Sequence, residues 1–207
     1  MVNAAAQASI GMTVGLAAVL IAAAQGSFQG IGNPTPAAWT VEPSAGQSQP
    51  FRAVFGGFSA TAVPEGTLLS IPGQVAGRAP GTPDLPAVAV LVKGQPGTSV
   101  HVTLDPPSWT EIAGIVVAPA ERRVMNDVTT NRPTYRTVRT PSPSVYQEDR
   151  FWPDPVVTVQ AAWMGTNKIV RVECAPIQYN PVRHVIRYAT VLKGTLMFES
   201  SGNPQDR

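Results

Sequence analysis

Most of the chain consists of short runs rich in β-branched and apolar residues, interrupted by proline and glycine. Several of these runs alternate between apolar and polar positions, which is typical of strands with one buried face. No segment after residue 50 shows the 3.6-residue apolar period of an amphipathic helix. The pattern therefore predicts an all-β body, a sandwich or barrel over residues 51–200. The predicted strands lie at 51–58, 67–71, 87–93, 99–104, 111–118, 156–164, 168–175 and 184–199.

The clearest unit is a hairpin over residues 156–175. Gly165, Thr166 and Asn167 supply turn residues between two strand-like runs. In the second run, Val170, Val172 and Cys174 fall on one face, which we expect to be buried, while Arg171 and Glu173 fall on the other.

The N-terminal segment breaks the pattern, because Ala4 to Ala24 is almost entirely apolar and the first charged residue of the chain is Glu42. A membrane-spanning helix needs roughly 20 apolar residues, so 1–24 is either a retained anchor or a cleaved signal peptide. We favour the anchor, because small residues share one helical face and would let another helix pack closely. The expected helix-packing residues are Gly11, Gly15, Ala18 and Ala22. Either alternative places the body in the periplasm or outside the cell, secreted if the segment is cleaved.

Residues 25–50 contain four glycines and four prolines, which predicts a tether between the apolar segment and the body. Phe28 and Trp39 are unusual in a plain spacer. They either rest at the membrane or on the flank of the domain, or dock on a partner subunit. Residues 201–207 are expected to be a tail.

A second irregular stretch, 121–155, carries six arginines and no sustained apolar run. A connection of this length is usually either functional or disordered. It is therefore either a solvated loop or an arm that presents Arg and Tyr side chains to a partner. The candidate partner-binding residues are Arg132, Tyr135, Arg136 and Arg139.

Composition and motifs give no sign of catalysis. The formal charge of +2 lacks the concentrated basic face typical of nucleic-acid binders. No motif for a metal, a phosphate or a haem is present, so no cofactor is expected. The single cysteine, Cys174, sits at a position expected to be buried, where a thiol behaves as a small apolar group. We therefore expect no dyad with His184 and no catalytic or metal site.

Three quoted stretches resemble a known family. "FWPDPVVTV" at 151–159, "VRVECAPIQYNP" at 170–181 and "VIRYATVLKGTLMFE" at 185–199 look like the propeptide of gingipain-type cysteine peptidases. An upstream stretch, 81–102, matches the same family in pattern. The resemblance covers about residues 65–200, and PIQYNP is its most specific part.

The resemblance implies an Ig-like antiparallel β-sandwich that keeps an attached peptidase latent and assists its folding. In some members an arginine from a propeptide loop occupies the specificity pocket, and Arg132, Arg136 and Arg139 are the loop candidates here. In the family a peptidase domain follows the propeptide, whereas these 207 residues hold none after the sandwich, so we expect either a fragment of a longer precursor or a sandwich that has been reused. We therefore expect first a non-catalytic, membrane-anchored accessory subunit of a larger membrane complex. The alternative is a latency or chaperone domain for a gingipain-type cysteine peptidase.

Overall fold

The computed structural model describes residues 28–75, 78–127 and 134–202. Strands dominate this part of the chain, and the helix it contains is a single turn, α1 at Pro143–Tyr146. The strands are β1 Gly30–Gly32, β2 Ala38–Val41, β3 Ser48–Val54, β4 Gly57–Val63, β5 Gly66–Ser70, β6 Val88–Lys93, β7 Thr98–Leu104, β8 Thr110–Ala113, β9 Arg122–Asp127, β10 Thr134–Val138, β11 Val157–Met164, β12 Asn167–Cys174, β13 Ile177–Asn180, β14 Val185–Tyr188 and β15 Val191–Ser200.

The largest sheet has four antiparallel strands in the order β2-β3-β15-β7. The last long strand, β15, lies inside it and pairs with β3 on one side and β7 on the other. Gly194 on β15 lies opposite Phe51 on β3, and a side chain at Gly194 would come within 3.0 Å of the Phe51 ring. A side chain at this position would also come within 2.6 Å of the Thr103 carbonyl oxygen on β7, so glycine fits where β15 passes between β3 and β7.

A three-stranded sheet, β11-β12-β6, carries the hairpin that the sequence predicts. Val170, Val172 and Cys174 are each 0% exposed, so the predicted buried face is confirmed. The opposite face is only partly exposed to solvent. There Glu173 forms ion pairs with Arg171 at 2.6 Å and with Arg78 at 3.0 Å. The Arg78 link ties this sheet to the segment before β6.

The remaining strands form smaller antiparallel sheets in the orders β1-β4-β5 and β13-β14-β8, together with the pair β9-β10. The buried apolar side chains form one cluster to which nearly every sheet contributes. Tyr188 illustrates the packing, since its ring meets Phe58 edge-on at 5.2 Å and its hydroxyl donates to the Phe55 carbonyl oxygen at 2.9 Å. The predicted all-β class is confirmed.

Some predicted elements differ from the structure. The predicted strand 51–58 is divided between β3 and β4 at Gly56 and Gly57, where Gly57 has φ +150 and a side chain would strike the Ile31 carbonyl oxygen. The predicted strand 111–118 ends at Ala113, before Gly114, which has φ +79. The last predicted strand, 184–199, is two strands, β14 and β15.

The stretch expected to be a tether also contains structure. Residues 30–50 hold β1, β2 and the start of β3, each paired in a sheet. The expected membrane helix, with Gly11, Gly15, Ala18 and Ala22, lies outside the described residues. Among the residues that are described, no helix has the length and apolar character needed to cross a membrane.

Candidate functional site

The stretch that the sequence marks as an arginine-rich arm contains a two-stranded hairpin, β9 paired with β10, which we call the arm. Within the described residues, neither strand joins another sheet. From Arg122 to Val138 the sequence has four arginines against one aspartate. The arm is therefore a basic element that adds little to the core and leaves its side chains available.

The register assigns the side chains of the arm to two faces. Tyr135 lies opposite Met125, and Thr137 lies opposite Arg123, so these four share one face. Tyr135 is 50% exposed and Met125 is 47% exposed, and the Arg123 guanidinium lies 5.0 Å from the centre of the Tyr135 ring. This face combines exposed apolar surface with a cation stacked on an aromatic ring. Such residues are typical of protein interfaces.

Arg136 lies on the other face of the arm, opposite Val124, and is exposed. Arg132 lies outside the described residues. The sequence did not single out Arg123 and Met125 as candidates. The signal that could have found them is the register of a hairpin, since both lie across from residues of β10.

Arg139 lies at the root of the arm and is held within the chain. Its guanidinium donates to the Asp84 carboxylate at 2.9 Å, to the Pro119 carbonyl oxygen at 2.6 Å and to the Glu121 carboxylate at 2.5 Å. The side chain is only 12% exposed. The Arg139 side chain therefore joins both ends of the arm to the segment before β6, and is less accessible to a partner than Arg136.

Phe28 and Trp39 both pack against the domain. The ring centroids of Phe28 and Phe58 are 5.9 Å apart, and those of Trp39 and Phe51 are 6.4 Å apart. Both side chains are half-buried. This arrangement places them on the flank of the domain, one of the two alternatives that the sequence leaves open.

Cys174 has the environment of a core residue rather than of a nucleophile. Burial, with a smaller contribution from Glu173, raises the pKa of its thiol to about 12. A reactive cysteine needs its pKa lowered, by a cation or a helix N-terminus. His184 lies just before β14 with φ 51, in the turn rather than in the strand. Within the described residues, no group of three or more acidic, histidine or cysteine side chains could hold a metal ion.

The PIQYNP stretch is buried throughout, and its polar side chains bond inside the domain. Gln178 donates to the Pro153 carbonyl oxygen and accepts from Arg187 at 2.6 Å. Arg187 in turn lies 4.1 Å from the ring centre of Phe151 and 4.6 Å from that of Trp109. The motif therefore holds neighbouring segments together.

Asn180, a second buried polar residue of the motif, stabilises the turn that follows it. Its side-chain oxygen accepts from the backbone N–H groups of Val182 and Arg183, at 3.2 and 3.1 Å. Its amide donates to the Asp149 carboxylate at 2.8 Å. Hydrogen bonds from Arg183 and then Asn180 lower the pKa of Asp149, so this carboxylate is held in its charged form.

Comparison with known proteins gives a family and a fold. A family model described as Propeptide_C25 matches residues 31–207. The structure is similar to one titled as a complex of the pro- and mature domains of RgpB from Porphyromonas gingivalis, with a TM-score of 0.65 and 17% identity, covering 80% of this chain and 85% of that one. It is also similar to a structure titled for the zymogenic latency of gingipain K from the same organism, with a TM-score of 0.63 and 18% identity, covering 83% of this chain and 98% of that one. No curated protein matches the sequence.

These findings correct the first expectation about function. The expectation of a membrane-anchored accessory subunit is wrong, because the family match spans most of the chain and the similar structures are gingipain pro-domains. The findings favour the alternative that the sequence left open, a latency domain. The resemblance carried by PIQYNP is confirmed over a longer stretch than the sequence alone indicates. The chain belongs to the Propeptide_C25 family, the propeptides of gingipain-type cysteine peptidases.

Proposed function

We propose that this domain binds the catalytic domain of a gingipain-type cysteine peptidase, keeps it inactive and assists its folding. The observation that carries the proposal is the family match over residues 31–207. One similar structure is titled as a complex of pro- and mature domains, and another is titled for latency. The domain itself supplies no catalytic group in this proposal, because its single cysteine is a core residue.

The arm is the part of the domain that contacts the peptidase in this proposal. It is basic, it extends no other sheet among the described residues, and it exposes Tyr135 and Met125 beside Arg123. Tyrosine, methionine and arginine are enriched at protein interfaces relative to the rest of the surface. A peptidase cleft with acidic groups would complement the charge of the arm.

The candidate arginines divide into two roles. Arg136 is exposed on the arm and is free to enter a cleft. Arg139 is held by three acceptors at the root of the arm, so we assign it a positioning role. Arg132 stays a candidate from the sequence alone.

Inhibition of a peptidase tests the proposal. The catalytic domain of a gingipain-type peptidase from the same source is titrated with the purified chain, and hydrolysis of a peptide substrate is followed. We expect inhibition that saturates. Arg136→Ala and Tyr135→Ala should each raise the inhibition constant about fivefold or more, because truncating a central interface residue costs roughly 1–3 kcal/mol.

Arg52→Ala is the matched control, because Arg52 is also an exposed arginine but lies on β3 of the four-stranded sheet. Its inhibition constant should equal that of the unchanged chain. A folded chain that leaves the peptidase rate unchanged at every concentration would refute the latency role. Inhibition that is unaffected by both arm variants would leave that role standing and refute the arm as the contact.

We also infer an Ig-like arrangement in which the four-stranded sheet β2-β3-β15-β7 and the three-stranded sheet β11-β12-β6 face each other. What supports it is that β12 and β15 both alternate buried and less buried residues. Their buried side chains, such as Val172 and Leu196, belong to the same cluster. An experimental structure in which these faces do not meet would contradict the arrangement.

A further inference from the structure

The strand β6, Val88–Lys93, forms one edge of the sheet β11-β12-β6. Its register with β12 is regular, from Val88 opposite Cys174 to Lys93 opposite Ile169, with no bulge. Proteins usually protect such an edge with proline, a bulge, several charges or a covering segment. The sequence VAVLVK has no proline and a single charge, at its end.

The alternation of hydrogen-bonded and non-bonded residue pairs between β6 and β12 determines which backbone groups of β6 face outward. The Gly94 N–H donates to the Lys168 carbonyl oxygen at 2.8 Å, one step beyond the Lys93–Ile169 pair. Hydrogen-bonded and non-bonded pairs alternate along an antiparallel ladder. The N–H and C=O groups of Ala89, Leu91 and Lys93 therefore point away from β12.

These outward groups have no backbone partner in the described part of the chain. No strand there pairs with the outer side of β6, and no backbone hydrogen bond there reaches Ala89, Leu91 or Lys93 from that side. Leu91, in the middle of the edge, is 57% exposed. The edge offers a row of unpaired backbone groups around an exposed leucine.

We propose that β6 pairs with β6 of a second copy of this chain, antiparallel and centred on Leu91. Leu91 then faces the partner's Leu91, while Ala89 faces the partner's Lys93. The outward groups of three residues from each copy form about six backbone hydrogen bonds. The two sheets join into one sheet of six strands, and this pairing is independent of the peptidase.

A second copy fits the edge because the strand is complementary to itself. In this register the charged Lys93 meets a small uncharged residue, so no like charges oppose each other. On the inward face, Val90 of each copy lies opposite Val92 of the other, so the apolar face of the sheet continues across the two-fold axis. Pairing through one short strand buries little surface, so the dimer is expected to be weak and dependent on concentration.

Sedimentation equilibrium and amide hydrogen exchange of the full chain test the dimer. We expect a monomer–dimer equilibrium, with the amides of Ala89, Leu91 and Lys93 exchanging more slowly as concentration rises. Leu91→Pro should weaken association at least tenfold, because it removes a central donor. The domain should still fold, because proline is tolerated on an edge strand where its N–H would face solvent. Leu91→Lys should weaken association similarly by placing two cations opposite each other.

Met164→Lys is the matched control, because Met164 is 61% exposed on the outer strand β11 of the same sheet. It should associate like the unchanged chain. Circular dichroism confirms that each variant is folded, and Leu91→Lys decides the question if Leu91→Pro unfolds the domain. A chain that stays monomeric at every concentration, or one whose association survives in a folded Leu91 variant, overturns the proposal.

Discussion

Cys174 shows how far the meaning of one residue depends on its surroundings. It is the only cysteine of the sequence, and it lies in a stretch that also holds His184. The alternation of β12 places its side chain beside Val172 in the core, where the thiol is 0% exposed. Burial raises its pKa to about 12, which keeps the thiol neutral.

Cys174→Ala should lower the free energy of unfolding by about 1 kcal/mol, because it removes one buried atom and leaves a small cavity. Chemical denaturation measures the change. The unchanged chain should react with a thiol reagent only at the rate at which it unfolds. A thiol that reacts quickly in the native protein, or a variant that loses inhibition while still folded, would contradict a purely structural role.

The raised pKa of this thiol also predicts a dependence of stability on pH. A thiol whose pKa is higher in the folded chain than the ordinary value of 9.0 favours the folded state while it stays protonated. Its contribution is complete below pH 9.0 and falls as the pH rises towards about 12. The Ala variant should therefore lose less stability than the unchanged chain across that range.

Among the elements, the arm depends most on a contact that is distant in sequence. Arg139 reaches Asp84, 55 residues away, and Glu121 on the other side of β9. Alternation in the sequence identifies strands, but it carries no information about which distant carboxylate an arginine will meet. For this reason the sequence identifies Arg139 as one arginine of the arginine-rich stretch but does not predict that its side chain is bonded at the root of the arm.

Arg139→Ala should loosen the arm while leaving the core intact. Amide exchange in β9 and β10 should accelerate, and global stability should fall by about 1–3 kcal/mol because Asp84 loses its charged donor. Arg136→Ala is the control, since its exposed side chain holds no part of the arm. If both variants exchange at the rate of the unchanged chain, Arg139 does not position the arm.

At the scale of the whole molecule, the sequence predicts the all-β class but misses the two strands at the N-terminal end of the domain. Strands with β-branched runs are recognisable locally, so β6, β7, β11 and β12 are found almost in full. The strands β1 and β2 are short and lie among prolines and glycines, which favours interpreting them as a tether. They become strands because β4 and β3 offer edges to pair with, and that information is not local.

A chain that begins at residue 51 should therefore fold poorly, although the sequence predicts a domain boundary there. It lacks β1 and β2, loses three residues of β3, and removes the ring contacts that Phe28 and Trp39 make with the core. A chain that begins at residue 28 keeps all of these. Thermal unfolding should give the chain that begins at residue 51 a much lower melting temperature than the chain that begins at residue 28. Equal melting temperatures would show that the N-terminal strands are dispensable.

The buried PIQYNP stretch has a consequence for how relatives of this domain are recognised. Its side chains face the interior, where Gln178 and Asn180 bond to other segments of the same chain. A buried motif of this kind identifies the fold of the domain, and it carries no information about the protein that the domain binds. Two proteins that share this motif can differ in the arm and thus, under the function proposed above, in the peptidase that they bind.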